Sequence, residues 1–83
     1  MDTNLRRYFF HVVTASETVR DFEGTELASL EDAREEALED ARSIMSVAVL
    51  EGRDVSGRSI QICNEAGEIL MTVPFLEAIR GED

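Results

Sequence analysis

The chain has 83 residues, eighteen acidic and eight basic side chains, a formal charge of −10 at pH 7, 43% hydrophobic residues and one cysteine. At this length folding hides only about 60 to 65% of the surface an unfolded chain exposes, so one thin core and a single domain, residues 1–83, are expected. The acidic balance opposes nonspecific binding to nucleic acid or anionic membrane, lone Cys63 excludes an internal disulfide and fits a reducing compartment, and no apolar stretch approaches the ~20 residues that cross a bilayer, so a cytoplasmic protein is expected.

Arg7-Tyr8-Phe9-Phe10-His11-Val12-Val13 is rich in aromatic and β-branched residues and reads as a first strand, closed by the turn-forming Thr14-Ala15-Ser16. Glu17 to Phe22 reads as a second strand of a hairpin. It ends at Asp21-Phe22-Glu23-Gly24, where the Asp21 carboxylate can accept from nearby amides and Gly24 can take a positive φ.

From Leu30 to Leu50, apolar residues Leu30, Ala33, Ala37, Ala41, Ile44 and Ala48 recur at spacings of three and four, with Leu38, Met45 and Val49 widening the stripe. This predicts a long amphipathic helix, with Ser29 as N-cap and Gly52 as its stop. Glu31, Asp32, Glu35, Glu36, Glu39 and Asp40 crowd its first half, where the positive helix end favours them, and they read as a solvated face.

After a loop over residues 53–57, Arg58 to Cys63 alternates as a third strand. Asn64-Glu65-Ala66-Gly67 turns the chain, and Glu68 to Val73 returns as a fourth strand that Pro74 stops. Phe75 to Arg80 reads as one or two helical turns before Gly81. Asp21 and Asn64 each stand three residues before a glycine, which two similar turns explain without an internal repeat. The expected fold is therefore α+β, a ββαββ two-layer domain: a four-stranded antiparallel sheet, one long helix on one face, and a short C-terminal helix.

Arg7-Tyr8-Phe9-Phe10-His11, Asp21 to Leu27, Ala33-Arg34-Glu35-Glu36-Ala37 and Gly67 to Phe75 together resemble a family of short, uncharacterised alphaproteobacterial proteins. The resemblance spans nearly the whole chain. It implies the same strand, strand, helix, strand, strand layout in a bacterial cytoplasm, and it brings no activity, substrate or catalytic residue with it.

The residues offer little chemistry of their own. His11 and Cys63 are the only soft metal ligands besides methionine, and a tetrahedral zinc site needs at least two more; no metal or cofactor is expected. A cysteine nucleophile would have only His11 as base, placed mid-strand, and the carboxylates of the helix sit on a solvated face where they make poor general acids. Neither turn has the twelve-residue ligand pattern of a calcium loop, and no glycine-rich phosphate loop is present.

The first strand is apolar on both sides, and one helix covers only one face. Tyr8, Phe10, Val12, Ile60, Ile62, Ile69, Met71 and Val73 are assigned to the core beneath the helix. Phe9, His11, Val13, Gln61, Cys63, Leu70 and Thr72 are left on an open, semi-apolar face. That face is the expected interaction surface, for a second copy in a homodimer or for another protein, unless Phe75 to Ile79 folds back over it. The expectation is a non-enzymatic protein-interaction module. The alternative is a nucleic-acid-associated regulator in which Arg6, Arg7, Arg20, Arg53 and Arg58 cluster on one side.

Overall fold

The computed structural model describes residues 4–79. Five strands and two helices follow one another as β1 (Arg6–Val13), β2 (Thr18–Val19), β3 (Thr25–Leu27), α1 (Leu30–Leu50), β4 (Ser59–Cys63), β5 (Ile69–Pro74) and α2 (Phe75–Ile79). The antiparallel sheet runs β2-β1-β4-β5, and β3 shares the outer edge of β1 with β2. This is the expected α+β layout, and it fixes the strand order that alternation alone leaves open.

Register decides the two faces. Phe10 faces Ile62 and Val12 faces Ile60 across β1 and β4, while Ile60 faces Val73 and Ile62 faces Met71 across β4 and β5. These rows, with Tyr8, pack beneath α1, which meets them with Ala33, Ala37, Leu38, Ala41 and Ala48. The fully buried alanines bring the helix close to the sheet. Ile60, Ile62, Val73 and Phe75 are also almost wholly enclosed, each contributing about 1.5 to 3 kcal/mol of burial.

Local chemistry sets the ends of α1. The Ser29 side chain accepts the Asp32 amide at 3.0 Å, and acids fill the first turn. At the other end Gly52, at φ +77°, donates to the Val49 carbonyl while Arg53 donates to the Ala48 carbonyl at 2.7 Å, the paired bonds that close a helix through a left-handed glycine.

Three expectations are corrected, and one open alternative is decided. The second strand, expected over Glu17 to Phe22, is only Thr18–Val19, and β3 over Thr25–Leu27 is an additional strand: residues 20–24 leave the sheet because the Asp21 side chain replaces strand pairing there. Ile69, assigned to the core, is 57% exposed, because a bulge between Ile62 and Cys63 shifts the register and pairs Ile69 with Cys63. Val49, assigned to the buried stripe of α1, is 70% exposed near the helix C-terminus. Phe75–Ile79 does not lie over the open face; α2 packs beside α1, with Arg42 Nε donating to the Ala78 carbonyl at 3.1 Å and Arg34 pairing with Glu77 at 3.0 Å. Arg80 and Gly81, expected to end that helix, lie outside the described residues.

Candidate functional site

The outer edge of β1 is paired at both ends and open in the middle. Val12 and Val13 pair with β2, and Arg6 to Tyr8 pair with β3, so the Phe10 amide between them has no strand opposite it. Asp21 fills the gap: its Oδ2 accepts the Phe10 N–H at 3.1 Å, and its Oδ1 accepts the amides of Glu23 and Gly24 at 3.1 Å each. The backbone N–H of Asp21 donates to His11 Nδ1 at 3.0 Å. A five-residue excursion, residues 20–24, is thus tied to the sheet through one carboxylate and one imidazole.

These bonds explain the titration of both groups. Burial alone would raise the Asp21 pKa, but the amides of Phe10, Gly24 and Glu23, helped by nearby His11, outweigh it and hold the carboxyl below its ordinary value. His11 is depressed below the usual histidine value, chiefly by burial and secondarily by Arg20, against a smaller pull from Asp21.

Gly24 completes the excursion at φ +71°. A β-carbon there would sit 2.8 Å from Arg7 Cγ and 3.0 Å from both Phe9 Cε2 and the Tyr8 carbonyl oxygen, so the chain passes directly over β1. Asn64 builds a related turn, its Oδ1 accepting from Ala66 and Glu68 ahead of Gly67 at φ +86°. The shared Asx spacing in the sequence is therefore shared turn chemistry.

The seven residues assigned to the open face are divided by this loop. Register places His11 opposite Gln61, Gln61 opposite Thr72, and Phe9 opposite Cys63 on that face. Phe9, Val13 and Gln61 are half-buried, and Leu70 and Thr72 are exposed. His11 is only 7% exposed and Cys63 only 4%; they border a cavity of about 170 Å³ with Phe9 and the loop residues Arg20, Asp21 and Phe22. Burial pushes the Cys63 thiol up, against a smaller opposite pull from Arg20. A neutral imidazole beside a protonated thiol is poor equipment for nucleophilic catalysis. Among the described residues no group of three or more His, Cys, Asp or Glu could hold a metal ion.

A second surface lies on the helix side. Met45 and Val49 of α1, Val55 of the following loop, and Leu76, Ala78 and Ile79 of α2 line a groove of about 560 Å³. Val49, Leu76 and Ile79 are exposed there, while Ala78 and Val55 form buried floor. Arg42 and Arg53 stand on its rim with Asp54. No acidic residue occurs between Asp40 and Glu51, so the groove is set apart from the acidic half of α1. In the sequence every one of these aliphatic residues also fits a buried role, and only the placement of α2 reveals that they meet.

The five arginines of the nucleic-acid alternative are dispersed. Arg6 and Arg7 lie at the start of β1, whereas Arg58 precedes β4 where that strand meets the far end of β1, roughly 20 Å away. Arg7 pairs with Glu26 at 3.2 Å and Arg53 with Glu51 at 2.7 Å. Arg20 follows β2 and borders the cavity beside His11 and Cys63.

Fold and surfaces together define a two-layer α+β domain whose helix and antiparallel sheet leave apolar side chains on both outer sides. The chain belongs to the family described as Domain of unknown function (DUF6894), whose model matches residues 7–76. That span contains all four segments that carry the resemblance in the sequence. No curated protein and no solved structure matches the chain.

Proposed function

We propose that this chain is a non-enzymatic protein-interaction module that binds through the groove between α1 and α2. The observation that carries this reading is the exposure of Val49, Leu76 and Ile79 around one apolar groove in a strongly charged chain. Water is displaced from such a surface at a gain of about 25 cal/mol per Å², and a groove of this shape accepts an apolar helix face or a second copy of itself. Arg42 and Arg53 keep the acidic charge of the chain from dominating its rim. The reading places the module in a bacterial cytoplasm, where unpaired, buried Cys63 stays reduced.

A second surface has one observation in its favour. Phe22 is 81% exposed on a loop held by four hydrogen bonds, and it borders the same cavity as Phe9 on the open sheet face. A rigid, exposed aromatic is a typical binding anchor. The arginine dispersal gives nucleic acid no comparable footprint, and a gel-shift series at low salt checks that directly.

The test compares wild type with Val49→Asp and Leu70→Asp, by light scattering after size exclusion and by affinity capture from a lysate. Both substitutions are at exposed positions, so the fold is expected to persist. The groove reading expects Val49→Asp to weaken self-association or capture at least tenfold, about 1.4 kcal/mol, with Leu70→Asp near wild type. The opposite pattern assigns binding to the sheet face. A wild type that neither self-associates nor captures anything overturns the interaction reading.

A further inference from the structure

We propose that His11 is an acid-released latch on the loop of residues 20–24: a proton on Nδ1 turns the acceptor of the Asp21 amide into a second donor, the loop leaves the sheet, and the cavity beside Cys63 opens. The geometry requires a neutral ring. Asp21 N–H points at Nδ1 at 3.0 Å, so the ring hydrogen must be on Nε2. In the imidazolium both nitrogens carry hydrogens, and two N–H groups then face each other. At 7% exposure the ring has little water to turn toward.

The charged and titratable groups facing His11 come from three elements. The loop supplies Arg20, which opposes a proton on the ring, and the Asp21 carboxylate, which favours one. Strand β4 supplies Cys63, and the turn after it supplies Glu65 at the far side of the same cavity; Gln61, the strand partner of His11, is uncharged. The Asp21 carboxylate is already committed to the amides of Phe10, Glu23 and Gly24. It cannot swing to the imidazolium without abandoning the Phe10 amide, which itself releases the loop. The acids of α1 lie on the other face of the sheet; of them Asp40, beside Phe10 and Val12, is near enough to repel the Asp21 carboxylate.

The direction of pH dependence follows from linkage. With the loop closed, His11 holds its proton less tightly than the ordinary histidine near pH 6.5. Closure is therefore at full strength above about pH 6.5, weakens as pH falls toward the closed-state value, and levels off below it. Inside that window the opening equilibrium rises as pH falls, by at most about tenfold per pH unit, the limit for a single proton.

The experiment is amide hydrogen exchange by NMR on the full chain from pH 7.5 to 4.5, corrected for intrinsic rates, with the His11 ring protons followed in the same samples. Protection of the Asp21 and Phe10 amides is expected to fall with pH through the window, by up to about tenfold per pH unit, while amides of the central strand β4 stay protected. In His11→Asn, a side-chain oxygen accepts near the Nδ1 position and does not titrate, so the Asp21 amide is expected to lose its pH dependence. Flat Asp21 protection through the wild-type His11 titration overturns the latch. So does parallel loss in β4, which marks global opening, or an unchanged pH dependence in His11→Asn. If that variant does not fold, the wild-type titration decides by itself.

Discussion

Asp21 bears more of this fold than an edge-loop residue usually does, and replacing it separates its roles. Asp21→Ala removes the acceptor of three backbone N–H groups. The Phe10 amide is partly buried against a sheet edge and loses its partner, a cost of about 1 to 3 kcal/mol. The Glu23 and Gly24 amides, at a more exposed turn, recover water in part and cost about 0.5 to 1 kcal/mol each. The expected loss is about 2 to 5 kcal/mol, from a total of about 4 to 12 kcal/mol for a domain of this length. Asp21→Asn keeps an oxygen for the turn amides but turns an NH2 toward Phe10, so only the first cost, about 1 to 3 kcal/mol, should remain. The two variants therefore rank as wild type, Asn, Ala in urea midpoint at pH 7, with unchanged m-values. Because the Asp21 pKa is held below its ordinary value, the wild-type advantage is present above about pH 3.8 and lost as pH falls through the folded value. The Asn variant and wild type should converge in acid. Equal midpoints for Asn and wild type at pH 7, or a gap that persists below the Asp21 titration, would refute the role given to the carboxylate.

Three further substitutions test separate parts of the structure by the same urea assay. Gly24→Ala and Gly67→Ala both force a left-handed backbone, costing about 1 to 2 kcal/mol, but only at Gly24 does the added carbon meet Arg7, Phe9 and the Tyr8 carbonyl; Gly24→Ala should be the more damaging, and equal losses would show that close approach is unimportant there. Asp40 has its pKa raised, first by burial and then by Glu36, Glu39 and Asp21, so its charge disfavours the fold at neutral pH and the penalty fades as pH falls through the raised value. Asp40→Asn should therefore stabilise at pH 7 by about 0.2 to 0.5 kcal/mol, the scale of one like-charge pair on a helix, and a lower midpoint would contradict that sign.

The parts of the fold that could be read from the sequence are those governed by local chemistry. Ser29 and Gly52 mark the ends of α1 because capping needs only a hydroxyl at one end and a left-handed residue at the other. β4 is legible because apolar and polar residues alternate along it, β1 because aromatic and β-branched residues crowd it, and β5 because a turn precedes it and Pro74 closes it. β2 and β3 are too short to alternate. They are defined by pairing with β1 across a gap that a side chain bridges, and Asp21 in isolation suggests only a turn. The burial of His11 is hidden for the same reason: its position in β1 marks the open face, and the chain that covers it returns ten residues later.

The groove shows a different limit. Periodicity identifies the side of a helix that turns inward, but it does not say where the layer beneath that helix ends. α1 spans about 30 Å, and in its last turns Met45 and Val49 line the groove with Val55 and α2. Ala48 stays covered near that end, while Val49 emerges beside α2. The position of α2 follows from Pro74, which ends β5, and from Phe75, whose amide bonds the Arg58 carbonyl at 2.9 Å as its ring enters the core. Once Phe75 is anchored, Phe75 and Ala78 take the buried side of this short helix, while Leu76, about 100° round from Phe75, and Ile79, in its last turn, stay exposed. The exposed aliphatics of the groove are thus a consequence of how the C-terminal segment docks. Deepening the core with Phe75 leaves its neighbours at the surface, where the apolar end of α1 meets them.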